Sequence, residues 1–193
     1  MRKIILASKS RARRRLLQEL GIRCRVEEAR VREKAWLKKG IRAVVVANAM
    51  AKAKACASRH AHGVVIGADT MVCVRGRLIG KPRDFKDAMR TIATLVRNPH
   101  WVYTGIAVID IDKGARYSDW AKTKVYMRPL THAQIKNYCV RRRPGDYAGG
   151  FDIQGSGAGL VARIEGCFYN VVGLPLAKLL KLLEKCGIDY YGA

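Results

Sequence analysis

Ile4-Ile5-Leu6-Ala7-Ser8-Lys9-Ser10-Arg11-Ala12-Arg13-Arg14-Arg15-Leu16-Leu17 is the stretch that decides the fold. Its apolar opening reads as a short buried strand near 3–7. Ser10 reads as the N-cap of a helix near 10–20, its hydroxyl accepting a free first-turn N–H, with Gly21 as the stop. A helix start carries partial positive charge and favours acidic side chains, yet this one carries Arg11, Arg13, Arg14 and Arg15. That is unfavourable unless an anion sits at the helix mouth, where hydroxyls, N–H groups and guanidinium forks converge. The plainer alternative is a solvated basic face.

Outward from this stretch, strand and helix signals alternate. An extended charged stretch covers 22–40, and an alanine-rich helix covers 42–59. Residues 64–74 form an apolar strand pair or bent strand, followed by a turn at Arg75-Gly76-Arg77 and a helix over 84–97 opened by Asp84. Two extended runs between Trp101 and Met127 flank the hairpin signal Asp112-Lys113-Gly114. Thr131 and Gln134 form a capping box for a helix at 131–141. Six glycines crowd the fifteen residues from Gly145 to Gly159, a flexible or tightly turned loop. A strand over 160–164 follows, then a helix from Pro175 to Cys186 with Pro in its first turn and Gly187 as its stop. The expected fold is one α/β domain over 1–193, a mixed twisted sheet with flanking helices.

Charge is the most unusual bulk property. The 193 residues carry a formal +23, and residues 1–60 hold 18 of the basic side chains against 4 of the acidic ones, a net +14. Such a surface attracts polyanions, so nonspecific nucleic-acid binding stays open as a second function class. Trp36, Trp101 and Trp120 stand isolated, however, and no basic–aromatic interleaving marks a stacking platform. The longest apolar run, Ala43 to Ala51, is broken by Asn48 and far too short to span a membrane. The N-terminal apolar run is too short for a secretory signal, so a cytoplasmic protein is expected. Six scattered cysteines without a CxxC pair read as reduced, mostly buried small hydrophobes. His60-x-His62 reads as a solvated helix cap in preference to a metal pair.

Four places carry candidate chemistry. Asp69 emerges from the apolar strand Ile66-Gly67-Ala68, where a carboxylate is expensive unless paired, hydrogen-bonded or bound to metal. A general base or magnesium ligand is the functional reading, a turn cap the structural one. Twelve residues on, Gly80-Lys81-Pro82 fixes a loop that presents an ammonium; no GxxxxGK[ST] occurs, which excludes P-loop chemistry. Lys52 sits among small side chains of the alanine-rich helix, where snorkelling to water is the default. Asp146 opens the run Gly149-Gly150-Phe151-Asp152-Ile153-Gln154-Gly155. There glycine density admits close backbone approach, and Gln154 offers a donor and an acceptor to a nucleobase edge; a mobile surface loop is the alternative.

Taken together these pieces resemble the Maf family. They are Ser8-x-Ser10, Arg13, Glu33, Ala49-x-x-Lys52-Ala53, Gly67-Ala68-Asp69-Thr70, Gly80-Lys81-Pro82, Ala148 to Gly155, and Asn170-Val171-Val172-Gly173-Leu174-Pro175. The resemblance implies a fold like the inosine triphosphate pyrophosphatases, with an active site in a cleft between two lobes, and a homodimer. It implies a pyrophosphatase that cleaves nucleoside triphosphates between the α- and β-phosphates, with Mg²⁺ or Mn²⁺. By that resemblance Asp69, Lys52 and Lys81 are catalytic, and Glu33 joins Asp69 at the metal. Ser8, Ser10 and Arg13 hold phosphate, while Thr70 and Gln154 contact the nucleotide. Thr70 stands where the pyrimidine-selective branch has Thr, so dTTP, UTP and modified pyrimidine triphosphates are the expected substrates. The chain departs from the family pattern at Arg11 and Ala12, where Pro and Arg are usual. It departs again at Arg30 and Arg32 in place of acids, and at Tyr147 in place of Lys.

Overall fold

A computed structural model describes residues 2–35, 40–142 and 147–190. Trp36 and Asp146 lie outside the described residues. The chain forms two compact units: Met1–Asp69 with Thr104–Ala121 and Gly173–Ala193, and Thr70–Tyr103 with Lys122–Val172.

The opening stretch folds as its pattern dictates. Strand β1 (Ile4–Leu6) is wholly buried, and α1 (Arg11–Glu19) follows, with the Ser10 hydroxyl accepting from the Arg13 N–H. Gly21, at φ 72°, closes α1 by donating to Gln18 O over 2.8 Å. β2 (Arg25–Val26) and β3 (Val64–Val74) both run parallel to β1, with Leu6 opposite Val26 and Ile66. Between them lies α2 (Gly40–Ala57), the long alanine-rich helix.

β3 is one continuous strand of 11 residues, and the turn at Arg75-Gly76 returns it antiparallel into β4 (Arg77–Ile79). α3 (Phe85–Arg97), capped by Asp84, leads to β5 (His100–Asp110) and β6 (Ala115–Met127) around the expected hairpin. Strand order is β2-β1-β3-β5-β6-β7, where β7 (Val161–Glu165) pairs antiparallel with β6. Parallel and antiparallel pairs therefore share one mixed sheet. α4 (His132–Arg142) starts on the capping box: Gln134 N–H donates to the Thr131 hydroxyl, and Thr131 N–H to the Gln134 side chain. The last elements are α5 (Phe168–Val172), a single turn that the sequence reading misses, and α6 (Leu176–Lys185). Pro175 caps α6 from outside and does not occupy its first turn, a shift of one residue.

Each unit has its own core. In the first, Ala49, Ala53 and Cys56 of α2 pack on Ile5, Val65, Ala107 and Ile109 of the strands and on Ala7 just after β1. In the second, Val72, Ile92, Leu95, Val125, Tyr138 and Phe151 close together. The glycine-rich segment belongs to that second core and is not a mobile surface loop. Gly149, Gly150, Phe151 and Ile153 are buried, and the Tyr138 hydroxyl donates to Gly150 O. Four of the six cysteines are buried and all are free thiols. Among the described residues no helix is long and apolar enough to cross a membrane.

Candidate active site

The close approach of α2 to the sheet builds the site in the first unit. A Cβ added at Gly67 in β3 would lie 2.2 Å from Ala49 O, and one at Gly105 in β5 would lie 2.4 Å from Val45 O. Only glycine leaves room for the helix backbone there. Asn48, Lys52 and Cys56, four residues apart on α2, share one face. The contact sets Lys52 against Ala68 and Asp69, midway along β3.

Lys52 does not snorkel. It is buried, and its ammonium lies 2.7 Å from Asp69 Oδ1, 2.6 Å from Glu33 Oε1 and 3.4 Å from Ala68 O. The default for a lysine on an alanine-rich face fails because two carboxylates lie opposite, a fact of tertiary structure alone. Asp69 is only 3% exposed. Its second oxygen, Oδ2, accepts from Asn48 Nδ2 at 2.9 Å, so both oxygens are satisfied. Asn48 is the residue sequence reasoning missed. It donates also to Lys34 O and accepts from Lys34 N–H, both at 2.9 Å, tying the Glu33 segment to Asp69. The available signal was an amide one helical turn before Lys52 in an otherwise apolar run.

The helix mouth supplies the second part. Arg13 is buried, and its guanidinium donates to Gly173 O (2.8 Å), the Ser8 hydroxyl (3.0 Å) and Ala68 O (3.0 Å). Burial pushes the Arg13 guanidinium below its ordinary value, while the charges of Asp69 and Glu33 oppose that shift. It stays a cation, since guanidinium does not deprotonate in proteins. Ser8 Oγ also accepts from Ser10 N–H at 3.2 Å, which leaves its own proton without an acceptor among the described residues. Ser10 is occupied as the N-cap. Arg11, Arg14 and Arg15 are exposed, and Arg15 pairs with Glu19 along the helix. Arg13 alone of the four arginines turns inward.

The remaining candidates belong to the second unit. Thr70 is half-buried, directly after Asp69. Lys81 is exposed and makes no hydrogen bond or ion pair among the described residues. Gln154 is half-buried; its N–H donates to Asp152 Oδ1 at 3.0 Å, and its side-chain amide has no partner among the described residues.

Asp69 and Glu33 already share one cation, the Lys52 ammonium, so an oxygen of each carboxylate faces a single cation position. Two carboxylates, with phosphate and water oxygens completing the shell, is a donor set that suits magnesium. Arg30 turns to Glu28 at 3.9 Å.

The chain is similar to known proteins along nearly its whole length. The family model for Maf-like proteins matches residues 3–186. The dTTP/UTP pyrophosphatase of Moorella thermoacetica is 43% identical over 192 residues, covering 100% of this chain and 99% of that protein. The dTTP/UTP pyrophosphatase of Carboxydothermus hydrogenoformans is 40% identical over 185 residues, covering 96% and 99%. Among solved structures, that of the Staphylococcus aureus Ham1 protein has a TM-score of 0.47 at 14% identity, covering 66% of this chain and 72% of that one. With the family model matched across nearly its whole length and such relatives aligned end to end, this chain belongs to the Maf-like protein family.

Proposed function

We propose that the protein hydrolyses pyrimidine nucleoside triphosphates, dTTP and UTP first among them, to the monophosphate and pyrophosphate. The observation that carries this is the buried Asp69–Lys52 pair, joined by the exposed Glu33 and braced by Asn48. The names of the relatives support the substrate.

A triphosphate carries about four negative charges, and cations must offset them before a nucleophile can approach. Lys52 exchanges its carboxylate partners for phosphate oxygens when the substrate enters. Asp69, released from that pair and still held by Asn48, accepts a proton from water. The water oxygen bonds to the α-phosphorus, the α-phosphorus to bridging-oxygen bond breaks, and pyrophosphate leaves with the electron pair. Ser8 donates its free proton to a phosphate oxygen, and the fixed charge of Arg13 stabilises the anion nearby. Ser10 shapes the helix mouth as its cap. Lys81 contacts phosphate, and Thr70 and Gln154 contact the nucleotide. A divalent cation, Mg²⁺ or Mn²⁺, held by Asp69 and Glu33 would neutralise phosphate charge. The proposal includes a single functional domain over 1–193, a homodimer, and action in the cytoplasm.

The test is product analysis on a panel of dTTP, UTP, CTP, ATP and GTP with Mg²⁺ or Mn²⁺. Monophosphate and pyrophosphate in equal amounts, fastest from dTTP or UTP, are expected. Diphosphate and inorganic phosphate, or no turnover, would overturn the reading.

One observation favours a second activity, nonspecific nucleic-acid binding. In the second unit Trp101 lies under Lys122 (4.8 Å) and Lys124 (5.7 Å), and Tyr126 under Lys124 (5.0 Å) and Arg163 (3.7 Å). The basic–aromatic interleaving absent from the linear sequence is thus assembled by β5, β6 and β7. Single-stranded RNA binding that weakens steeply with salt, and further in Trp101→Ala, supports this activity. Binding indifferent to that substitution argues against it.

A further inference from the structure

The face of α2 that carries Asn48 and Lys52 also carries Cys56, and His60, just past the helix end, meets Glu27 beside β2. His60 and His62 do not act alike: His62 is 84% exposed and pairs with Asp112, whereas the His60 side chain is 12% exposed and turns inward. The solvated cap expected at His60-x-His62 is therefore true of His62 alone. His60 Nε2 lies 2.9 Å from Glu27 Oε1, yet both atoms are buried without an aligned hydrogen bond. Cys56, fully buried, points its thiol at Glu27 Oε2 over 3.8 Å. One ligand atom from each residue falls within 4.8 Å of the others.

We propose that Glu27, Cys56 and His60 form a second cation site, for a thiolate-preferring divalent metal of the zinc class. Sulfur, imidazole nitrogen and carboxylate oxygen make a borderline-soft donor set, unlike the all-oxygen pair Asp69 and Glu33. Bonds of about 2.0–2.3 Å at tetrahedral angles separate neighbouring donors by roughly 3.4–3.6 Å. His60 Nε2 reaches Glu27 Oε1 at 2.9 Å and Cys56 Sγ reaches Glu27 Oε2 at 3.8 Å, and one donor from each residue lies within 4.8 Å of the others, so the three must draw in by about 1 Å at most to close on one ion. Three protein ligands leave one position for water. Spacing rules miss the set because only Cys56 and His60 are near in sequence, while Glu27 comes from another element.

The surrounding charges are known. Arg25 and Arg59 pair with Glu27 at 3.0 and 3.4 Å, and Lys3 Nζ lies 3.5 Å from His60 Nδ1. The arginines are 64% and 43% exposed and Lys3 is exposed, so all three can withdraw into solvent. Burial pushes the Cys56 thiol up, so the free site holds a thiol. Metal binding breaks the S–H bond, forms the metal–sulfur bond and releases one proton to solvent. Imidazole binds through Nε2 with its proton on Nδ1.

Cobalt(II) is the probe, since thiolate ligation gives it a sulfur-to-metal charge-transfer band that oxygen ligands at Asp69 and Glu33 cannot produce. Titration of the full-length protein is expected to yield this band at one cobalt per chain, with stoichiometric zinc abolishing it. Cys56→Ala removes the band, and His60→Gln, at a less buried position, weakens binding at least tenfold. Nucleotide hydrolysis is unchanged in both. Absence of the band from the native protein overturns the site, as does its persistence in Cys56→Ala. Should Cys56→Ala not fold, unaltered affinity in His60→Gln overturns it equally.

Discussion

Asn48 Nδ2 donates to Asp69 Oδ2 over 2.9 Å, while the same amide group holds both backbone groups of Lys34. One side chain on α2 thus fixes the orientation of the buried carboxylate and the course of the segment bearing Glu33.

Asn48→Ala leaves a carboxylate oxygen and two Lys34 backbone groups without their partner. An orphaned buried polar group costs about 1–3 kcal/mol. The expected result is a loss of stability within that range by urea denaturation. A fall in kcat of at least tenfold should accompany it, with KM little changed, because Asp69, the proposed general base, would lose its support. Unaltered kcat in a folded Asn48→Ala protein would remove Asn48 from the mechanism.

Gly67→Ala forces a methyl group to within 2.2 Å of Ala49 O, against backbone that cannot yield. Core overpacking ordinarily costs about 1–3 kcal/mol, and a clash with helix backbone lies at or above that limit. Thermal denaturation should show a drop of several degrees or failure to fold. Gly159→Ala, with open space around the added methyl, should melt like the native protein.

Much of this fold was legible because its signals are local. The strand-to-helix opening, the Ser10 and Asp84 caps, the Thr131–Gln134 box and the hairpin at Gly114 each need only a few adjacent residues. Asp69 was legible by the physics of a carboxylate in an apolar strand. Lys52 was not, since snorkelling or burial depends on which groups lie opposite, and Glu33 and Asp69 arrive from two other segments. The Gly149–Gly150 segment misleads in the same way. High glycine content reads as mobility, but Gly149, at φ 74°, is buried, and a Cβ added there would lie 3.2–3.5 Å from Val72, Leu95 and Phe151. The Trp101–Tyr126 cluster and the Glu27–Cys56–His60 set are likewise products of strand and helix adjacency.

His100 gives stability a pH dependence. It is fully buried against Phe151, edge to face at 5.7 Å, and burial pushes its pKa down to about 4. The unfolded chain takes up the proton near the ordinary 6.5, so stability is intact above that pH and falls as pH drops from 6.5 towards 4. The full loss is on the order of 3 kcal/mol. Denaturation of native protein and His100→Phe across this range checks it: the His100 contribution to the slope disappears in the variant.

Asp110 is wholly buried and receives the Arg2 guanidinium, which also reaches Asp112 and Cys186 O. Arg2 holds the Asp110 carboxyl below the usual carboxylate range. Arg2→Met strands that charge and should cost about 3 kcal/mol by urea denaturation. Adding Asp110→Asn should recover part of the loss, and a double variant no better than the single one would contradict this account of the pair.

Under the proposed function, Asp69 activates water in a site built by Lys52, Glu33 and Asn48. Comparison of kcat/KM for dTTP and UTP between native protein and Asp69→Asn, with folding verified, tests it most directly. Removal of a general base lowers rate by about 10²–10⁴, and a fall of that size with monophosphate and pyrophosphate still the products is the expected result. Activity within threefold of native would contradict it.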